Sequence, residues 1–415
     1  MSLLPLFSRG ADRAAALATL ERDLKRGLET VERAPASPER ERAIATLESA
    51  ARYLRNRDAA EPGPAGRDDD ERCLSLVLSA RETAPSRERL ATRGLLGTAP
   101  YEDADPGWFG VLWSWLTRPR APFRSRPRSA SGAISFADDA VVALAADWGT
   151  GCASSARIAE AIRALDAPHA IHLGDVYYAG TEAEVRDKLV SAWPAGSVSS
   201  FTLNANHEMY SGGHGYFDVA LRAPAFAAQG GFSYFAMENR HATIIGVDSA
   251  YHAQWASLYH RGALDADAQM PWLRAVGRAA RSAGRKVILL SHHHGLELDG
   301  TPVEPLWSQI ADALEGGPDI WYWGHVHAGA AFAPRRSGGA VVRGRCIGHG
   351  GVPYAPIARG PALAWAEDAL AGDPDEPRRA RNGFAVLRFA DDALIEELRD
   401  EDGAVRWTER TPWRG

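Results

Sequence analysis

An α/β fold is predicted by three features of the chain. From about Ala133 onward, short apolar runs alternate with stretches of helical periodicity. Five of those runs stop abruptly at polar or ionisable residues, as expected where an α/β sheet gathers functional side chains at the C-terminal ends of its strands. After a stretch containing Pro and Gly, "GFAVLRF", "ALIEELRD" and "AVRWTER" read as three closing antiparallel strands.

Taken in order, the chain opens with Leu17, Leu20, Leu24, Leu28 and Val31 at helical spacing, and Ile44, Leu47, Ala51 and Leu54 repeat the pattern. Ser37 as N-cap and Pro38 at the first helical position start the second helix, so the two predict a helical hairpin. "EPGPAGRDDDER" reads as a loop or hinge. Trp108, Trp113 and Trp115 then precede the basic, proline-rich "TRPRAPFRSRPRSASG", a segment expected to pack onto the main domain. Residues 1–132 are thus assigned to an N-terminal helical region with linker, and 133–415 to the main domain. In the latter, "VVALAADWG", "HAIHLGD", "SVSSFTLNANHE", "KVILLSHHH" and "PDIWYWGHVH" are the five predicted strands, with helices expected over Ser154–Leu165 and Asp265–Arg281.

Composition narrows the function. With 45% hydrophobic and 24% charged residues over 415 positions, the chain has ordinary globular composition and enough length for a sizeable core. A formal charge of −6 argues against nucleic acid as a partner, since phosphate-backbone binders carry a basic excess. Cys73, Cys152 and Cys346 are scattered, odd in number and without a CxxC pair, which argues against a disulfide framework or a thiolate zinc site and suits a reducing cytoplasm. No apolar run approaches bilayer length, so no membrane partner is expected. Oligomeric state is not specified by any of these features.

The strand ends carry the chemistry: Asp147 in "DWG", Asp175 and Tyr178 in "GDVYY", Asn206 and His207 in "NANHE", His292, His293 and His294 in "SHHH", and His325 and His327 in "GHVH". Singly, each has an ordinary explanation, because a strand-end Asp caps a following helix and a lone His is commonly a satisfied core residue. Jointly, carboxylates, an amide oxygen and imidazoles converging at one edge leave charge and lone pairs unsatisfied unless metal ions compensate them. In "GHVH", His325 and His327 stand two residues apart and are read as serving two adjacent ions rather than one.

The ordered set "D-x-G", "G-D-x-x-Y", "N-H-E", "S-H-H" and "G-H-x-H" resembles the calcineurin-like metallophosphoesterases, and within them the purple acid phosphatases, over roughly Val141 to His327. The resemblance implies a sandwich of two mixed β-sheets flanked by helices. It also implies Asp147, Tyr178 and His327 at a first metal, Asp175 bridging, and Asn206, His292 and His325 at a second. His292 is chosen from the three consecutive histidines because similar motifs use the first. His207 is implied near the leaving group, with Glu208 or another neighbour fixing its tautomer, and Tyr177 is read as a packing residue. Two departures are visible: Ala205 replaces the usual Gly before "N-H", at a cost in backbone freedom, and Gly295 stands where a proline is common.

Where the wider family has "D-x-H", this chain has Gly149, and the phenol replaces a neutral imidazole by a hard anionic oxygen. A binuclear centre of Fe(III) with a divalent Zn, Fe or Mn balances the added charge. The implied activity is hydrolysis of a small phosphomonoester or phosphodiester by in-line attack of a metal-bound hydroxide. A weakly active or inactive binding module of the same fold and a di-metal nuclease are the competing readings. Beyond the metal shell, His293, His294, His214 in "MYSGGHGYFD" and His349 in "CIGHGGVPY" are candidate substrate contacts, and Pro361–Pro377 is a candidate lid or a disordered insertion.

Overall fold

A computed structural model of the chain describes residues 119–127, 132–253, 259–373 and 377–413. The predicted helical hairpin and the tryptophan segment lie outside them. Among the described residues, no helix is long and apolar enough to cross a membrane.

The strands form two mixed sheets. One has six strands, β2 (Val141–Ala145), β3 (His169–His172), β4 (Ser199–Thr202), β13 (Gly383–Phe389), β14 (Ala393–Asp400) and β15 (Val405–Pro412), in the order β15-β14-β13-β2-β3-β4. Its first half is parallel, with Ala145 opposite His172 and His172 opposite Thr202, while the three closing strands run antiparallel and join at β2. The other sheet has nine strands. Its centre is β5 (Phe235–Glu238), β6 (Ala242–Gly246), β7 (Lys286–Ser291), β8 (Ile320–Trp323) and β11 (Ala340–Ile347). Around these lie β1 (Ile134–Ser135), β9 (Gly329–Phe332), β10 (Arg335–Ser337) and β12 (Leu363–Ala366). β12 falls within the predicted lid or insertion, and it pairs antiparallel with β9 as an ordinary edge strand.

Strict two-residue alternation explains why the five predicted strands read as continuous apolar runs. Val142 and Leu144 of β2, Ile288 and Leu290 of β7, and Ile320 and Tyr322 of β8 meet in one core between the sheets. Their neighbours face outward beneath helices. Ala143 and Ala145 pack with Ile158 and Ile162 of helix α1 (Ala153–Ala164). On the other sheet, Leu289, Trp321 and Trp323 pack with Trp272, Leu273 and Val276 of α2 (Gln269–Ser282) and with Ile310 of α3 (Leu306–Ala313). These strands are buried on both faces, and the site is built at their C-terminal ends.

Candidate metal centre

Past their last paired residues, the strands keep hydrogen bonding long enough to fix the side chains that follow. The Asp147 amide donates to the Gly174 carbonyl at 3.0 Å and the Gly149 amide to the Asp175 carbonyl at 3.2 Å. Asp147, Asp175 and His325 then turn through the left-handed region, with φ of 54°, 73° and 66°. Non-glycine residues occupy that region rarely, and such backbone cost concentrates at functional sites. Gly324 permits the close approach of the last of these turns, because a Cβ there would lie 2.4 Å from Asp147 Oδ2. The same oxygen accepts from the His325 amide at 2.9 Å.

Two clusters result, and they share Asp175. In the first, Asp147, Asp175 and His327 bring ligand-type atoms within 4.8 Å of one another. The hydroxyl at its centre belongs to Tyr177: it lies 3.1 Å from Asp147 Oδ1, 2.9 Å from Asp175 Oδ2 and 2.9 Å from His327 Nε2. This corrects the assignment of the phenol to Tyr178, whose ring lies under the Lys188 ammonium at 5.6 Å. The cause is local. Val176 forms a parallel bridge with Gly149 just beyond the Asp175 turn, and Tyr177, next to that bridge, carries its hydroxyl to the aspartates. An imidazole at position 149 has no room, since a Cβ there would lie 2.9 Å from the Asp175 carbonyl oxygen and from Val176.

In the second cluster, Asn206 Oδ1 lies 2.8 Å from His292 Nε2 and 3.0 Å from His325 Nδ1, and Asp175 Oδ1 is 3.4 Å from His292 Nε2. His292 Nδ1 faces the Leu173 carbonyl at 3.0 Å and therefore holds the ring's proton, which points the Nε2 lone pair at an amide oxygen. Burial holds His292 and His325 well below the usual imidazole range, so protonation does not relieve that opposition. Burial, then the charges of Asp147 and Glu208, hold the Asp175 carboxyl well above the usual range. Facing acceptors and crowded acids of this kind fit cations.

His207 lies 3.8 Å from Asp175 Oδ2, with its ring 4.2 Å from that of Tyr177. Burial lowers its pKa to about 3. Its tautomer is fixed by the Tyr178 carbonyl, 2.6 Å from Nδ1. Glu208, the partner expected from sequence, instead accepts from the Asp175 amide at 3.3 Å, and burial raises it to about 8. Ala205 avoids the left-handed region, and Gly174 opposite it accommodates its methyl.

The outer histidines divide. His294 stacks on His325 at 5.4 Å and lies 3.5 Å from Glu297 Oε2. His293 is corrected from a substrate contact to a buried support, because its Nε2 meets the Tyr259 carbonyl at 2.7 Å and its Nδ1 the Ser249 hydroxyl at 2.9 Å. His214 pairs with Asp218 four residues on, at 3.0 Å, in a helical turn rather than on a ligand-facing loop. His349 is a core residue, not a rim residue. It is 2% exposed, and added Cβ atoms on Gly329 and Gly383 would each lie 2.6 Å from its ring. Sequence reasoning missed Tyr177, which no local spacing distinguished from Tyr178, and His260, whose ring lies 4.9 Å from that of His325.

Residues 140–329 match the calcineurin-like phosphoesterase family. The matched segment contains every member of both clusters, from Asp147 to His327. Several solved structures are similar to the chain at low identity. GAP50, the anchor in the inner membrane complex of Plasmodium, is 11% identical, with 66% of this chain and 89% of that chain covered and a TM-score of 0.46. A dimetal phosphatase from Danio rerio is 13% identical, with 66% and 98% covered and a TM-score of 0.45. A single mutant of Vps29 from Entamoeba histolytica is 12% identical, with 66% and 98% covered and a TM-score of 0.28. No curated protein matches the chain.

Proposed function

We propose that the chain is a di-metal phosphoesterase of purple acid phosphatase type, hydrolysing a small phosphomonoester or phosphodiester. The observation that carries this reading is Asp175. Its Oδ2 faces Tyr177 at 2.9 Å in the first cluster and its Oδ1 faces His292 at 3.4 Å in the second, so this one carboxylate would serve both ions. Asp147, Asp175, Tyr177 and His327 would hold one ion, and Asp175, Asn206, His292 and His325 the other. The phenolate is a hard, anionic donor that favours Fe(III), whereas an amide oxygen with two imidazoles suits Zn, Fe(II) or Mn. When bound, the pair supplies Lewis acidity and neutralises phosphoryl charge.

The chain's own contribution centres on His207. With Nδ1–H committed to the Tyr178 carbonyl at 2.6 Å, the neutral ring presents its lone pair at Nε2. On the leaving-group side it would orient the ester, and a proton taken up at Nε2 from solvent would pass to the departing alkoxide. A cytoplasmic location belongs to this proposal and accords with the free thiols of Cys152 and Cys346.

Elemental analysis and an aryl phosphate assay test it. The expected result is two metals per chain, with hydrolysis lost on chelation and in Asn206→Ala. An unchanged rate per protein in Asn206→Ala overturns the reading.

A further inference from the structure

Four imidazoles surround His325, with ring centroids at 5.2 Å for His292, 4.7 Å for His293, 5.4 Å for His294 and 4.9 Å for His260. The first three are buried, whereas His260 is exposed. The backbone that carries it is nevertheless held on both sides by His293. The Tyr259 carbonyl accepts from His293 Nε2 at 2.7 Å, and a Cβ on Gly262 would lie 2.6 Å from His293 Cβ. Arg120 adds a further tether, its Nε donating to the Tyr259 hydroxyl at 3.2 Å. An exposed donor on a turn fixed against the ligand shell is the arrangement that substrate positioning requires.

Resting on the phosphoesterase reading, we propose that His260 is a substrate-contacting residue whose imidazole N–H donates a hydrogen bond to a non-bridging phosphoryl oxygen of an ester held beside His325. A neutral ring suffices, because a bond to an anionic acceptor is charge-assisted.

The test compares the metal-loaded full chain with His260→Ala and His260→Gln, using an aryl phosphate as substrate and inorganic phosphate as competitive inhibitor. In His260→Ala, KM and the inhibition constant for phosphate should rise together, roughly tenfold, with kcat little changed and metal content intact. His260→Gln, which keeps a side-chain N–H, should recover part of both. Unchanged KM and inhibition constant in His260→Ala, with an active parent, overturn this assignment alone. Metal loss from His260→Ala would put the ring in the metal shell and overturn it as well. A metal-loaded parent that neither hydrolyses the ester nor binds phosphate overturns the phosphoesterase reading, and the assignment falls with it.

Discussion

Tyr177 and Tyr178 are adjacent phenols with different surroundings. Tyr177 hydroxyl sits within 3.1 Å of three first-cluster atoms, whereas the Tyr178 ring lies 5.6 Å from the Lys188 ammonium. In iron-loaded protein, Tyr177→Phe should abolish the visible absorption of an iron–phenolate pair, and Tyr178→Phe should keep it. An absorption band that survives in Tyr177→Phe and vanishes in Tyr178→Phe would return the ligand role to the third residue after Asp175. Gly174 sets a second limit at this scale. Its φ is 96°, and a Cβ would lie 2.6 Å from that of Ala205 and 3.0 Å from His292 Nδ1. Gly174→Ala should therefore lower stability by roughly 1–3 kcal/mol and reduce metal content, read from denaturant midpoints and elemental analysis.

Between elements, the two sheets are tied by a buried ion pair as well as by their shared core. Arg345 on β11 meets Glu396 on β14 at 3.0 Å with both side chains fully buried, and meets Glu409 on β15 at 3.0 Å. Arg345→Met strands a buried carboxylate and should cost about 3–5 kcal/mol, most of it recovered in the double variant with Glu396→Met. A single-variant loss under about 1 kcal/mol in urea unfolding would show that the pair adds little. Nothing in "AVVRGRC" or "LIEEL" announces this pairing, because it joins residues 51 positions apart on different sheets. The five strand ends were legible for the opposite reason: each is a local switch from a run buried on both faces to a polar tip. Two-residue periodicity alone did not tell which of two adjacent tyrosines faces the aspartates, since that depends on the bridge between Val176 and Gly149. His293 and His349 read as site residues because burial and partners, which made one a support and the other core, are tertiary properties.

Across the whole molecule, buried imidazoles outside the metal clusters link folding to pH. His172, enclosed by Trp148 and Trp193, has its pKa lowered by burial to about 3, and His349 to about 4. In the unfolded chain both rings protonate near an ordinary value of about 6.5. Below that pH the unfolded state binds more protons than the folded state, so stability falls as pH drops, by up to roughly 1.4 kcal/mol per pH unit per ring. The loss continues until the folded rings themselves protonate, near about 4 for His349 and about 3 for His172. Glu208 acts in the other direction in metal-free protein: held protonated by burial up to about 8, it stabilises the fold at low pH, and that contribution fades as pH rises through the interval from its ordinary value. Among the described residues, four carboxyls are raised by burial, Asp175, Glu208, Asp248 and Glu396, against eight lowered imidazoles, so acidification should destabilise overall. Urea midpoints of chelator-treated protein at pH 7, 6 and 5 should fall progressively, and His172→Leu should flatten the trend by about one proton's worth of slope. Parallel curves for the parent and His172→Leu across that range would show that the ring does not titrate on unfolding as its burial requires.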